Sequence, residues 1–346
     1  MNKTQLGTSS LWVSKLTMGT MTFGEQNTEQ ESFSIMDAAW DAGINTYDTA
    51  EMYPVKSRRE TFGASEEIVG RWVKTKPRDK VIVASKISGP ARTFDWIRNN
   101  DLDFHPHQID LAINNSLQRL GLDYIDLYQL HWPTRNVPIF GASRFNPKFE
   151  RPCAMIEDTL AGLDKHVQTG KIRYIGVSNE SSWGVNEFTR QSEQLKLPRI
   201  VSIQNAYNLL NRTFEQGLDE TCYRENVGLL AYSPLAFGQL TGKYVTNPAA
   251  AGRLNVFPKD WSPRYMRDGV LDATTRYMAL AAQYGLTSTE LATLWCYHQW
   301  FVASTIVGAT SVPQLAEQLS ALAKPLPPEL IKAVDAIHAT MPNPAH

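Results

Sequence analysis

Gly43-Ile44-Asn45-Thr46-Tyr47-Asp48-Thr49-Ala50-Glu51-Met52-Tyr53 is the stretch from which the rest of the chain can be read. An apolar helix end, Ala38 to Ala42, runs into Gly43, and a short strand-like segment closes on Asp48. Tyr53 follows after a tight turn. A strand fixes a carboxylate and the following loop presents a phenol, which suits catalysis because one group is held rigidly while the other is aimed. By itself such an Asp can simply cap the next turn, so the reading depends on what lies at the other strand ends.

Outward from this stretch the text alternates between strand and helix. Residues 5–14 read as a small hairpin with its turn at Gly7 to Ser10. A strand at 16–18 breaks at Gly19-Thr20-Met21-Thr22-Phe23-Gly24. A helix over 29–42 places Phe33, Met36, Ala39 and Trp40 on one face. After the strand at 44–48 comes a helix over 65–74, opened by Ser65 as cap. Strands at 81–86, 125–131, 174–177, 200–203 and 228–232 then alternate with helices at 108–120, 155–168, 183–195 and 214–226. A long loop reaches residue 271, helices follow at 273–284 and 289–300, and a last strand at 304–307 leads into a final helix ending near 323.

Eight strands, each followed by a helix, imply right-handed crossovers and a parallel sheet. Val81-Ile82-Val83-Ala84-Ser85-Lys86 is apolar on both faces, as a strand buried between layers must be. Eight such units in 346 residues favour an α/β, (β/α)8 TIM barrel over an open sheet. The N-terminal hairpin would plug its bottom, and one extra helix precedes the last strand. No linker or repeat divides the text, so residues 1–346 are read as a single barrel domain.

Composition narrows the function. The chain is 42% hydrophobic and 20% charged with a net charge of −1, so no basic field draws it to nucleic acid or anionic lipid. No apolar run is long enough for a bilayer and no leader is visible, so a cytoplasmic enzyme without an obligate protein partner is the expectation. Cys153, Cys222 and Cys296 match no metal spacing. His105-Pro106-His107 lacks a third ligand and reads as a surface turn.

In a barrel, residues at the carboxyl ends of strands converge on one mouth. Here these are Asp48, Lys86, His131, Ser178, Asn179, Gln204 and Tyr232. A lysine ending a buried strand needs a carboxylate, and Asp48, one strand away, is the natural partner. Tyr53 would serve as proton donor, its acidity increased by the Lys86 ammonium, with a neutral His131 orienting a carbonyl oxygen.

These residues, with 43–48, Lys171-Ile172-Arg173-Tyr174-Ile175-Gly176-Val177-Ser178-Asn179 and Ala231-Tyr232-Ser233-Pro234-Leu235, resemble the aldo-keto reductase superfamily over essentially the whole chain. Residues 19–24, 50–54 and 209–212 resemble its bacterial Tas-type branch most, the potassium-channel β-subunits being more distant. The resemblance implies a catalytic tetrad of Asp48, Tyr53, Lys86 and His131, and NADPH/NADP bound across the mouth without a Rossmann unit. It further implies that Ser178, Asn179 and Gln204 hold the carboxamide and that Tyr232 stacks on the nicotinamide. Gly19, Thr20 and Met21 would line the cofactor, followed by Ser233, Pro234, Leu235, Gly238 and Leu240, while Lys243 and Arg253 would meet phosphates. The stretch 238–244 only imitates a P-loop, failing on spacing and on the hydroxyl after the lysine. Gly308, Thr310, Gln314, Glu317 and Gln318 would hold the adenosine end. Gln318 stands where relatives usually carry Asn, and no arginine occupies position 314, so NADP over NAD rests on Lys243, Arg253 and Thr310. Phe23, Tyr53, His131 and Trp132 would line the pocket for a small-molecule carbonyl substrate. The expectation is an NADPH-dependent reductase of aldehydes or ketones; the alternative is a cofactor-sensing regulatory module with vestigial chemistry.

Overall fold

Within Ile82–Ile87, the residues Ile82, Ala84 and Lys86 share one face and Val83, Ser85 and Ile87 the other, because side chains alternate along a strand. In the computed structural model, which describes residues 1–90, 94–257 and 263–346, the first face points into a closed barrel. Ile82 and Ala84 pack there with Leu127, Val201, Leu230, Ala303 and Ile306, one layer above Leu6, Leu11 and Val13. Val83 and Ile87 turn outward to the helices.

The leading hairpin pairs β1 (Lys3–Gln5) with β2 (Trp12–Ser14) in antiparallel register. Eight parallel strands follow: β3 (Leu16–Gly19), β4 (Thr46–Asp48), β5 (Ile82–Ile87), β6 (Ile125–Leu130), β7 (Ile172–Ser178), β8 (Ile200–Ala206), β9 (Gly228–Tyr232) and β10 (Val302–Val307). They close in sequence order, β10 returning to β3. The expected (β/α)8 barrel is the observed one, and the hairpin's Leu6 is wholly buried in the layer that floors it.

Register sets the height of each polar side chain. Asp48 lies opposite Gly19 and Ala84, Lys86 opposite Gln129, and Gln129 opposite Gly176. A Cβ on Gly176 would come within 2.3 Å of Ser202 Oγ and 3.4 Å of Gln129 Cγ, so glycine leaves the space that Gln129 occupies. The apolar layer below and the polar layer above are therefore consequences of strand parity plus register.

Several local expectations need correction. The helix Ala64–Val73 is preceded by Gly63 at φ 82°, and Ser65 does not cap it. Ser65 Oγ instead donates to the Thr20 carbonyl at 2.9 Å, tying this helix to the loop after β3. The expected helix 214–226 is two pieces, Thr213–Glu215 and Leu218–Glu225, divided at Gly217, whose φ of 105° no helix accommodates. The loop 236–272 contains short helices at Ala236–Thr241, Lys243–Thr246, Arg253–Val256 and Pro263–Met266. A further helix, Pro328–Thr340, lies beyond the expected last one and buries Leu330 and Val334. Its signal was present in the sequence: prolines at 327 and 328, then apolar residues at 330, 334 and 337. Parts of the expected pocket loops, residues 91–93 and 258–262, lie outside the described residues.

Candidate active site

Asp48 ends β4, Lys86 stands one residue before the end of β5, and His131 is the first residue past β6. Parity sends the first two into the barrel, where they meet. Lys86 Nζ donates to Asp48 Oδ2 at 2.6 Å and to the Thr49 carbonyl at 2.7 Å. Asp48 Oδ1 accepts from Gln129 Nε2 at 3.1 Å and Gln204 Nε2 at 2.9 Å. The pair is completely buried, and removing two charges from water is tolerable only because every near neighbour answers one of them. Burial pulls the Lys86 ammonium below its ordinary value, and Asp48 opposes this.

Tyr53 leans over this pair. Lys86 Nζ lies 4.8 Å from its ring centroid, and the His131 ring meets it edge-on with centroids 5.7 Å apart. Trp132 packs 4.8 Å from His131. The expected lowering of the phenol's pKa is not what the structure gives. Burial holds the Tyr53 phenol well above its ordinary value, Asp48 and Tyr232 push in the same direction, and only Arg253 opposes. With the ammonium engaged by Asp48, desolvation of the phenolate dominates.

The remaining strand ends connect to the same network. Ser178 Oγ donates to the Gln204 carbonyl at 2.7 Å, and Asn179 Nδ2 donates to the His131 carbonyl at 2.9 Å. Tyr232 Oη donates to Asn179 Oδ1 at 2.7 Å. Thr20 Oγ1 donates to the Asp48 carbonyl at 3.0 Å, which brings the Gly19–Met21 segment to the same wall.

All of this opens into a cavity of about 650 Å³. From Tyr53, His131 and Trp132 it runs past Ser178, Asn179, Gln204 and Tyr232 to Ser233, Pro234, Leu235 and Gly238, then to Lys243 and Arg253. Its far end is Gly308, Thr310, Gln314, Glu317 and Gln318. Three expected residues do not line it. Phe23 and Leu240 are fully buried in the helix-side core, and Lys86 sits behind Asp48. Phe23 departs because the turn after β3 presents Met21 to the mouth and folds Phe23 back on the barrel's outside.

Whether a dinucleotide suits this groove can be judged from its cationic corner. Lys243 and Arg253 approach Gly252 and Gly308 closely: a Cβ on Gly252 would lie 2.3 Å from Lys243 Nζ, and one on Gly308 3.4 Å from Arg253 Nη2. Burial, aggravated by Arg253, lowers the Lys243 pKa, so two like charges are held together at the cost of mutual repulsion. An anion of more than one charge relieves that repulsion, and the diphosphate of an extended nucleotide has the right chemistry. At the far end Gln314 Oε1 accepts from the Thr310 amide at 2.9 Å, Glu317 Oε1 accepts from Thr287 Oγ1 at 2.9 Å, and Gln318 Nε2 donates to the Gly308 carbonyl at 3.1 Å.

Sequence reading missed Gln129, Phe140, Phe237 and Arg264 at this site. Gln129 carried a visible signal, an amide inside the otherwise apolar end of 125–130. The other three stand on loops without period. Among the described residues no group of three or more His, Cys, Asp or Glu side chains could hold a metal ion, and no helix is long and apolar enough to cross a membrane. His105 and His107 sit on the surface near Asp103 and Asp101.

The sequence matches the profile of the Aldo/keto reductase family over residues 15–339. It is 43% identical over 344 residues to Protein tas of Escherichia coli (strain K12), covering 97% of each chain. A protein of the same organism named NADH-specific methylglyoxal reductase is 32% identical over 335 residues, 93% of this chain and 94% of its own. A probable voltage-gated potassium channel subunit beta of Oryza sativa subsp. japonica is 29% identical over 350 residues, 98% of this chain and 97% of its own.

Proposed function

Because this chain belongs to the aldo/keto reductase family and has a relative named a methylglyoxal reductase, we propose that it reduces aldehydes or ketones to alcohols with NADPH, using Tyr53 as general acid. The observation that carries this reading is the buried Asp48–Lys86 pair beneath the Tyr53 ring, with His131 edge-on beside it. When bound, the nicotinamide supplies a hydride to the carbonyl carbon. The chain's own residues manage the oxygen. His131 and Tyr53 orient it, and the Tyr53 phenol donates its proton as negative charge develops there. A developing alkoxide is about as basic as hydroxide, so even a phenol held protonated by burial is acidic enough to donate. Lys86 then faces the phenolate that remains, and Asp48 keeps Lys86 in place.

Ser178, Asn179, Gln204 and Tyr232 would hold the nicotinamide, and Lys243 with Arg253 the diphosphate. Lys243 and Arg253 face the diphosphate that both cofactors share, so NADPH over NADH is supported by the Thr310 hydroxyl at the adenosine end, against which stand Gln314 and the relative named NADH-specific. Kinetics with both cofactors decides this point.

Tyr53→Phe should lower kcat/KM for 4-nitrobenzaldehyde by about 10²–10⁴-fold, the range of general acid catalysis, while NADPH still quenches tryptophan fluorescence. Turnover that survives the substitution removes Tyr53 from the acid role. The resemblance to a channel subunit favours a second reading, a cofactor sensor; a wild-type chain that binds NADPH but turns over no aldehyde would support it.

A further inference from the structure

Among the described residues three cations line the cavity, Lys243, Arg253 and Arg264, and two of them are accounted for by a diphosphate. Arg264 is apart from that corner. It stands on the Pro263–Met266 turn, and its Cβ comes within 3.3 Å of where a Cβ on Gly141 would lie, which places it under the loop that carries Phe140. Its guanidinium is 4.9 Å from the Tyr265 ring centroid and 5.9 Å from that of Tyr232. Tyr232 Oη is itself committed to Asn179.

Arg264 is 7% exposed, and a guanidinium stays charged in a protein whatever its surroundings. Among the described residues Arg98, Arg119 and Arg135, whose side chains are also largely withdrawn from water, have carboxylates in Glu51, Glu66 and Glu180, whereas Arg253 at the diphosphate corner, like Arg264, is answered only by phenols. Among the described residues Arg264 has aromatic rings and phenols only. Ring faces and hydroxyls compensate a buried cation partly, whereas a carboxylate compensates it fully. The walls nearby are apolar, with Met52, Val55, Trp132, Phe140 and Phe237. An apolar cleft holding one buried, acid-free arginine is built for an organic molecule that ends in an anion.

We infer that Arg264 binds an anionic group of the substrate, so that the preferred carbonyl compounds are aldehydes or ketones with an apolar body and a carboxylate. This rests on the reductase reading and extends it to substrate class. Arg264 would act as a specificity residue, contributing to binding and leaving the proton transfer at Tyr53 unchanged.

The test compares two substrates with the same aldehyde and ring, 4-carboxybenzaldehyde and its neutral methyl ester, in the wild-type chain, Arg264→Met, Arg264→Gln and Arg264→Lys. A charge-assisted hydrogen bond implies a loss of about 10–100-fold in kcat/KM for the acid in both neutral variants, seen mainly in KM. The ester should lose much less than the acid, and Arg264→Lys should recover part of the acid's loss. Having two neutral variants guards against one failing to fold, which circular dichroism reveals. Equal losses for acid and ester would mean a structural role and overturn the inference. A rise confined to the KM for NADPH would assign Arg264 to the cofactor's phosphates and overturn it as well. If the wild-type chain reduces neither aldehyde, the reductase reading fails separately. The anion site is then judged by benzoate binding, followed through tryptophan fluorescence: at least tenfold weaker binding in Arg264→Gln supports it, and equal binding refutes it.

Discussion

Lys86 and Asp48 show how much one buried contact can hold. Each charge is removed from water, and each is answered by the other plus the Thr49 carbonyl, Gln129 and Gln204. Breaking such a pair is expensive because it strands the remaining charge, at about 3–5 kcal/mol, whereas removing both ends is often close to neutral. Asp48→Asn should therefore destabilise the chain by about that amount in urea unfolding, and adding Lys86→Met should return much of it. A single variant as stable as the parent would show that the pair is not closed to water as drawn. The same two residues are proposed to support Tyr53, so the double variant should be folded and inactive, which separates stability from chemistry.

At the scale of elements, the helix Ala64–Val73 packs against the helix Pro106–Leu120 through Gly70. A Cβ there would lie 1.9 Å from the Leu120 carbonyl oxygen and 2.5 Å from its carbon, backbone atoms that cannot swing aside. Two effects of Gly70→Ala oppose one another. Helix propensity favours alanine by about 1 kcal/mol. Overpacking usually costs about 1–3 kcal/mol, and a collision with backbone belongs at the top of that range. The clash should win, leaving a net loss of about 1–2 kcal/mol by urea denaturation; a gain in stability would show that the helices separate freely. These helices carry Ser65 and Glu66 to the barrel's outer wall, where Glu66 meets Arg119 and Ser85, so the packing also fixes the loop that presents Tyr53.

Across the whole molecule, burial of phenols makes stability depend on alkaline pH. Seven of the thirteen tyrosines, Tyr47, Tyr53, Tyr128, Tyr207, Tyr244, Tyr265 and Tyr277, have pKa values raised chiefly by burial. An acid whose folded pKa lies above its unfolded value near 10 contributes stability below that pH and loses it as pH rises further. Each such group costs about 1.4 kcal/mol per pH unit once the unfolded chain ionises, and total stability is only about 5–15 kcal/mol. Unfolding should therefore set in within one to two units above pH ~10, with at least seven phenolates appearing together with loss of the far-ultraviolet dichroism. All thirteen ionising in a still-folded chain would contradict this. The sequence by itself determined the barrel, because strand–helix alternation with eight repeats leaves few other ways to bury both strand faces. It also determined that Asp48, Lys86, Ser178 and Gln204 would gather, because a polar residue ending an apolar strand has one place to go. Tertiary structure alone decided the rest: that Phe23 and Leu240 turn into the core, that Gly217 breaks a helix the apolar spacing carried through, that burial raises the Tyr53 phenol's pKa when the ammonium was expected to lower it, and that Arg264 enters the mouth. Periodicity encodes which face an element buries, whereas loop paths, desolvation and the neighbours of a lone side chain depend on contacts between residues far apart in sequence, which no local pattern records.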